Sequence, residues 1–264
     1  MNGALAGLAV VVTRPAAQAA PMARALEAEG AEALLLPSLR IEPVRIDAAA
    51  LATADPARYD DLVYTSVNAV ESALAQLPRP RGARLFAVGS ATKAALAAHG
   101  LEAIAPEGPD ATNSEGLLAL PELATPAGRR ILILRGVGGR ELLPDTLRVR
   151  GAEVACAELY RRAPAPPDLA VLARIAALRR AGHSCVLAVS SVEALDGLLA
   201  GIGAHWRAEL LALPVLVPGS RVAAAAAARG HSGAAILAAS AELPAQLDRL
   251  RRWWATNGTP RPAC

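Results

Sequence analysis

Residues 129–162 have the pattern of two parallel β-strands joined by a helix. A short apolar run, Ile131–Leu134, leads directly into a glycine-rich loop, and a helical stretch, Gly151 and a second apolar run ending at Tyr160 follow. Parallel strands cannot be joined by a tight turn and need a crossover connection, which is usually a helix. This stretch therefore predicts a βαβ unit, and with it a parallel sheet covered by helices.

The pattern occurs twice, which indicates an internal duplication. Sixteen residues separate Arg14 from Gly30, and the same number separate Arg135 from Gly151. Two further pairs of segments match in the same order, at slowly growing offsets: 64–69 with 189–194, and 86–90 with 217–220. Any βα unit shows an apolar strand, a small-residue turn and a later glycine, so one match is weak. Three matches in the same order favour an internal duplication.

Apolar runs and helical stretches alternate along the whole chain. Strands are predicted at 8–13, 33–36, 61–65, 84–88, 102–105, 131–134, 153–159, 185–190, 214–217 and 234–238. Strands that alternate with helices are typical of α/β proteins. The 264 residues suit two domains of ordinary size. We therefore expect two doubly wound, flavodoxin-like parallel-sheet domains.

Proline-bearing segments indicate how the two domains are connected. A tandem duplication would divide the chain near Pro126–Gly128, whereas prolines cluster at Pro37–Pro43 and Ala163–Pro167. The prolines favour insertion of one domain into the other. The predicted division is a discontinuous domain of residues 1–39 and 166–264 and an inserted domain of residues 40–165, joined by a two-stranded linker.

Composition and charge indicate which kind of ligand the protein binds. The net charge is +3, nearly all basic residues are arginine, and no basic run is interleaved with aromatic residues. This pattern favours a small acidic ligand over nucleic acid. No apolar run approaches the ~20 residues of a membrane span, and the apolar start lacks the basic region of a signal peptide. We therefore expect a cytoplasmic protein that contacts neither membranes nor nucleic acid.

The cysteines and histidines do not have the spacing of a metal site. Cys156 and Cys185 lie in apolar runs, where core packing is the expected role, and Cys264 is the last residue. The four histidines are scattered, and they follow no Ser-His-Asp order. We expect no metal cofactor.

A candidate anion site follows the strand at Ile131–Leu134. Arg135 and Arg140 flank a glycine loop that begins at Gly136. In open α/β sheets ligands bind at the carboxyl ends of the strands, glycine lets the backbone approach a ligand closely, and arginine supplies fixed positive charge. The combination suggests a polyanionic ligand.

Several short motifs, weak singly but specific in this order, resemble the uroporphyrinogen-III synthase family over about residues 8–247. They are Val12-Thr13-Arg14-Pro15, Tyr64-Thr65-Ser66-Val67-Asn68-Ala69-Val70, Ala87-Val88-Gly89, Arg135-Gly136 with Gly138-Gly139-Arg140-Glu141, Tyr160-x-Arg162, and Arg221-Val222-Ala223 before Gly230. The resemblance implies two α/β domains joined by two linker strands, with a cleft between them. It also implies an enzyme without cofactor that cyclises hydroxymethylbilane to uroporphyrinogen III, inverting the last pyrrole ring and losing water.

The resemblance also implies site residues. Tyr160 matches a tyrosine that hydrogen-bonds the departing hydroxyl, with a strand-end structural role as the alternative. The implied substrate-binding residues are Thr13, Arg14, Ser66, Asn68, Gly89, Ser90, Arg135, Gly136, Arg140, Ser190, Ser191, Ser220 and Arg221. The alternatives are helix capping for Ser66 and Asn68, and pairing with Glu141 or Glu158 for Arg135 and Arg140. Ala188-Val189-Ser190-Ser191 and His231 depart from the family pattern.

Two other function classes stay open on the sequence. One is a two-lobed protein that binds a small anion without catalysis. The other is a nucleotide-dependent transferase, although the loop lacks both the third glycine of a dinucleotide fingerprint and the lysine of a P-loop. For a synthase, the expected partners are the linear tetrapyrrole and, by substrate hand-off, hydroxymethylbilane synthase. A monomer is expected.

Overall fold

The computed structural model of the protein describes residues 3–45, 48–108 and 113–258. The chain divides into two compact units, which are residues 1–40 with 163–264 (unit 1) and residues 41–162 (unit 2). Each unit contains one five-stranded sheet. No helix within the described ranges is both long enough and apolar enough to span a lipid bilayer.

Strands and helices alternate along the described chain. The strands are β1 (Leu8–Val12), β2 (Glu32–Leu35), β3 (Leu39–Pro43), β4 (Asp61–Tyr64), β5 (Arg84–Ala87), β6 (Arg130–Gly136), β7 (Glu153–Pro164), β8 (Ser184–Ala188), β9 (Val215–Val217) and β10 (Ala235–Leu237). The helices are α1 (Ala16–Ala28), α2 (Ala48–Thr53), α3 (Val67–Gln76), α4 (Ser90–Ala98), α5 (Ser114–Leu118), α6 (Leu142–Val149), α7 (Leu169–Arg180), α8 (Val192–Gly201), α9 (Ala204–Leu211), α10 (Ser220–Ala228) and α11 (Leu243–Asn257). The α/β class predicted from the sequence is confirmed.

The sheet of unit 1 has the strand order β2-β1-β8-β9-β10, and all neighbouring strands in it are parallel. Numbered within the unit this is the order 2-1-3-4-5 of flavodoxin-like folds. Every residue of β1 is buried, because helices cover both faces of a parallel sheet and no strand face needs to be polar. Two aliphatic core clusters pack on the sheet of this unit.

The sheet of unit 2 has the order β5-β4-β6-β7-β3. The β5-β4-β6-β7 pairs are parallel. β3 runs antiparallel to β7. The Ala165 N–H donates to the Ser38 carbonyl and the Val44 N–H donates to the Leu159 carbonyl, so the residue numbers rise along β3 as they fall along β7. A single parallel bridge joins Phe86 of β5 to Ile104. Two further core clusters belong to this unit.

The two strand orders agree with the internal duplication. The strand order of unit 2, read from the Ile104 bridge, is Ile104-β5-β4-β6-β7. Position by position it corresponds to the order β10-β9-β8-β1-β2 of unit 1, so that β6 is the counterpart of β1 and β4 the counterpart of β8. The helix ends also correspond, because Ala31 donates to Leu26 after Gly30 just as Ala152 donates to Leu147 after Gly151. The copies thus share one topology but start at different points in the chain.

Two sequence predictions differ from the structure. The strand predicted at 102–105 is wrong, because only Ile104 pairs, through its bridge to Phe86. Pro106 follows at once and cannot donate a ladder hydrogen bond. Conversely, β3 is missing from the list of predicted strands, although it lies in the segment 37–43 that was expected to belong to the two-stranded linker; it is at the edge of its sheet and tolerates Pro43 at its end.

Candidate active site

A cavity of about 280 Å³ lies in unit 2 where β4 and β6 end. The chain leaves β4 toward β5 on one side and β6 toward β7 on the other, so this is the point where ligands bind in open α/β sheets. The lining residues are Thr65, Ser66, Ser114, Ile133, Arg135, Gly136, Val137, Gly138, Gly139, Arg140, Leu143, Pro144, Tyr160 and Arg162. Five residues predicted from the sequence therefore meet here: Ser66, Arg135, Gly136, Arg140 and Tyr160.

The hydroxyl of Tyr160 is the centre of a hydrogen-bonded group in the cavity wall. Its Oη lies 2.9 Å from Ser66 Oγ, and either oxygen can donate. Arg162 Nη2 donates to the same Oη at 3.4 Å, and the Arg162 Cζ lies 5.6 Å from the centre of the Tyr160 ring. Ser66 also caps α3 by accepting from the Ala69 N–H at 3.1 Å, so capping and a role in the site coexist in one side chain.

Gly136 makes room for the tyrosine ring. The register between β6 and β7 shifts after Arg135, which places Gly136 opposite Tyr160. A Cβ at position 136 would lie 2.7 Å from the Tyr160 Cζ. The glycine is therefore needed for close packing against the ring rather than for an unusual backbone angle.

Arg135 is occupied by protein carboxylates. Its Nη2 lies 2.8 Å from Glu141 Oε1 and 3.3 Å from Glu158 Oε1, and only 12% of the side chain is exposed. Burial acts to lower the pKa of Arg135, but the hydrogen bond to Glu141 and the nearby negative charges outweigh burial and raise it. The pairing that the sequence left open as an alternative to ligand binding is thus present in this structure.

Arg140 is exposed and also paired. Its Nη1 and Nη2 donate to the two carboxylate oxygens of Glu115, and 63% of its side chain is exposed. The hydrogen bonds from Arg140 lower the pKa of Glu115. A ligand carboxylate would therefore have to displace Glu115 to bind the Arg140 guanidinium.

The other predicted residues of unit 2 lie outside the cavity lining. Gly89 caps α4 with extended backbone, Ser90 is the exposed first residue of that helix, and both follow β5. Asn68 lies in the first turn of α3 and is half-buried. All three are near helix amino ends, where backbone N–H groups favour anions.

In unit 1, Thr13 has a structural environment. The residue is fully buried, its Oγ1 donates to the Ala188 carbonyl at 2.8 Å, and its own carbonyl accepts from the Ser38 hydroxyl at 3.0 Å. Thr65 of unit 2 makes a similar bond to the Leu134 carbonyl at 3.1 Å. Each threonine hydroxyl thus ties two neighbouring strands together at their carboxyl ends.

The remaining predicted residues of unit 1 also follow strand ends. Arg14 donates to the Ala241 carbonyl at 2.7 Å, and burial lowers the pKa of Arg14 against the opposing effect of Glu242. Ser191 caps α8 through the Ala194 N–H, and Ser190 precedes it half-buried. Two predicted site residues, Ser220 and Arg221, are exposed at the start of α10.

The cavity contains polar residues that sequence reasoning did not select. These are Thr65, Ser114 and Arg162. Glu115 was not selected either, and it bonds to the cavity residue Arg140. A signal for Arg162 was present in the motif Tyr160-x-Arg162, because alternate residues of a strand share a face. No local signal links Glu115 to Arg140, which lie in separate elements.

The cysteines described by the structure pack in the cores, as predicted. Burial raises the pKa of Cys185 to about 11 and also raises that of the half-buried Cys156. Both thiols are therefore kept protonated near neutral pH, which makes them poor nucleophiles. Cys264 lies outside the described residues.

Solved structures similar to this chain share its fold. Uroporphyrinogen-III synthetase from Helicobacter pylori matches with a TM-score of 0.60 at 15% identity, covering 92% of this chain and 98% of that one. A mutant uroporphyrinogen III synthase from the extremely thermophilic bacterium Thermus thermophilus matches with a TM-score of 0.52 at 21% identity, covering 95% and 100%. At these identities the likeness concerns the fold.

Sequence comparison identifies closer relatives. Uroporphyrinogen-III synthase of Salmonella typhimurium is 41% identical over 167 residues, which is 59% of this chain and 65% of that protein. The match thus spans slightly less than two thirds of that relative. The synthase of Synechococcus elongatus is 33% identical over 225 residues, covering 78% of this chain and 80% of its own length.

A family model described as uroporphyrinogen-III synthase HemD matches residues 20–243, which includes most of both units. The matched region contains the cavity with its tyrosine, serine and glycine loop. This chain therefore belongs to the uroporphyrinogen-III synthase family.

Proposed function

We propose that this chain is a uroporphyrinogen-III synthase, which cyclises hydroxymethylbilane with inversion of the last pyrrole ring and loss of water. The observation that carries the proposal is the convergence of Tyr160, Ser66 and the glycine loop on one cavity at the strand ends of unit 2. Family membership supports the same activity.

The chemistry needs little acid–base machinery. The C–O bond of the hydroxymethyl group breaks, the hydroxyl takes up a proton to leave as water, and the pyrrole nitrogen's electrons stabilise the resulting azafulvene cation. The substituted carbon of the last ring then attacks this cation to give a spiro intermediate. The bond from that carbon to the preceding methylene bridge breaks and re-forms at the free carbon of the same ring, and loss of the proton on that free carbon restores the aromatic pyrrole. Tyr160 is the proposed proton donor, since it presents a hydroxyl in the cavity wall. Fixing the two ends of the chain in this geometry supplies the rest of the acceleration.

The charge balance of the cavity suits hydroxymethylbilane, a linear tetrapyrrole with eight carboxylates, whose pyrrole rings must not collapse onto one another when it binds. Arg135 and Arg140 are already paired with glutamates. Anion binding therefore falls mainly on backbone N–H groups at strand ends and helix starts and on small hydroxyls, while Arg140 binds a substrate carboxylate where that carboxylate displaces Glu115. The proposed substrate-binding residues outside the cavity are Asn68, Gly89, Ser90, Arg14, Ser190, Ser191, Ser220 and Arg221. Thr13 can contribute only through a rearrangement, because its hydroxyl and carbonyl are engaged.

The wider setting is also proposed. Each unit has its own aliphatic core clusters, which supports reading units 1 and 2 as separate domains. We propose a cytoplasmic monomer that needs no cofactor and that receives substrate from hydroxymethylbilane synthase. Analytical ultracentrifugation of the chain, alone and mixed with that enzyme, tests the monomer and the hand-off complex.

The test of the activity is to add a catalytic amount of the chain to hydroxymethylbilane and to resolve the type I and type III products. We expect the type III isomer to dominate over many turnovers. Tight substrate binding with type I product only would instead favour the alternative of a small-anion-binding protein without catalysis.

A further inference from the structure

We infer that Arg162 is a positioning residue that acts through Tyr160: together with Ser66 it fixes the phenol so that its proton points into the cavity. The inference rests on the proposed function, and it assigns a role to a side chain that lines the cavity but was not expected to take part.

The hydrogen bonds around Tyr160 Oη allow this orientation. A guanidinium can only donate, so Tyr160 Oη accepts from Arg162 Nη2 at 3.4 Å. Ser66 Oγ accepts from the Ala69 N–H at 3.1 Å and has a second lone pair, so its 2.9 Å contact with Tyr160 Oη can run in either direction. Ser66 is assigned here as the donor in that contact. Both acceptor positions of Oη are then filled, and the Tyr160 proton is left for the substrate in the cavity.

The position of the guanidinium adds an electrostatic effect. Arg162 Cζ lies 5.6 Å from the centre of the Tyr160 ring, and one of its nitrogens touches the phenol oxygen. As the phenol gives up its proton to a departing hydroxyl, negative charge develops on Oη. Arg162 is exposed, but its guanidinium lies beside that oxygen, where its positive charge stabilises the transition state more than the ground state. The bond is long in the ligand-free site, and such bonds commonly tighten when substrate binds.

The neighbouring arginine provides a matched control. Arg161 lies on the opposite side of β7, where its Nε donates to Glu42 at 2.7 Å, and it is absent from the cavity lining. Arg161→Gln therefore makes the same chemical change one residue away without touching Tyr160.

The test is a double-mutant cycle with hydroxymethylbilane as substrate. Arg162→Gln should lower kcat roughly 5- to 20-fold and change KM less than about twofold, because the interaction matters mainly in the transition state. In the Tyr160→Phe background the same substitution should change kcat less than about twofold, since the hydroxyl through which it acts is gone. Arg162→Lys, which keeps the charge, should restore part of the loss, and Arg161→Gln should match the wild type.

A spectroscopic readout separates failure of this inference from failure of the proposed function. Only three tyrosines occur in the chain, so ¹³Cζ-labelled tyrosine gives few resonances, and Tyr160→Phe identifies one of them. That resonance should move in Arg162→Gln and stay in place in Arg161→Gln, whether or not the protein turns over. Equal kcat losses in both backgrounds, or an unmoved Tyr160 resonance, would overturn the inference.

Discussion

Gly136→Ala should damage turnover by displacing the phenol of Tyr160. A methyl carbon at position 136 would lie 2.7 Å from Cζ, 2.8 Å from Cε2 and 3.1 Å from Oη of that ring. Carbon atoms in contact prefer separations of about 3.5–4.0 Å, so the ring or the strand has to give by about 1 Å. The ring is 1% exposed and hydrogen-bonded to Ser66, so it cannot move aside without breaking that bond.

The structure sets the size of the effect. Overpacking a buried site costs about 1–3 kcal/mol of the free energy of unfolding. A displacement of about 1 Å at a reacting group can cost as much as 100-fold in rate. Because the effect acts through the Tyr160 hydroxyl, the loss should not exceed that of Tyr160→Phe. We expect kcat to fall roughly tenfold and KM to change much less.

The assay is steady-state formation of uroporphyrinogen III, combined with thermal unfolding of each variant. Gly203→Ala is the matched control, because a Cβ at position 203 meets nothing within 4 Å and the backbone there is extended with φ at −69°. Its kcat and Tm should match the wild type. A Gly136→Ala variant that loses stability but keeps full kcat would refute the argument that the ring must be held in place for catalysis.

Three further predictions concern charge and cofactor. Asp61 is fully buried between Arg84 and Arg129, whose hydrogen bonds outweigh the effect of burial and lower its pKa. Asp61→Asn should therefore cost about 3 kcal/mol of unfolding free energy at pH 7, the low end for a broken buried pair, because both arginines are partly exposed. Because the folded pKa is depressed, that deficit should be complete above about pH 4 and shrink as the pH falls through the folded value, as denaturant titrations at several pH values would show. Arg140→Ala should raise KM about 3- to 10-fold and Glu115→Gln should lower it slightly, since Glu115 competes with substrate for the exposed guanidinium; unchanged KM in both variants would remove Arg140 from the substrate site. Dialysis against a chelator should leave kcat unchanged, and a loss restored by a metal would contradict the cofactor-free mechanism.

The parallel fold could be predicted because its strands are buried on both faces. Residues Ile131–Leu134 form a continuous apolar run, and all four are buried in β6. The same reasoning fails at the sheet edges. β3 has polar residues at Arg40 and Glu42 and ends in proline, so its sequence looks like a linker although it pairs with β7. The run at 102–105 looks apolar enough for a strand but forms one bridge before Pro106.

The position of the candidate site could be predicted from the sequence, whereas the hydrogen-bond and ion-pair partners of its side chains could not. The glycine loop after β6 marks the cavity, because the geometry of parallel sheets places ligands at strand ends. The pairing of Arg140 with Glu115 depends on how α5 packs, and local sequence does not contain that information. The same holds for Thr13, whose hydroxyl bonds the distant Ala188 carbonyl. The catalytic and substrate-binding roles proposed from the sequence remain predictions.

The most direct test of a tyrosine-assisted loss of water is single-turnover formation of uroporphyrinogen III by the wild type and by Tyr160→Phe. The substitution removes one oxygen from a buried ring and leaves the Gly136 packing in place. The account predicts a partial loss of the single-turnover rate, roughly 5- to 50-fold, with little change in substrate affinity, because the substrate's own electrons also drive the departure of water. A variant that retains the full rate would show that Tyr160 is structural and would contradict the account.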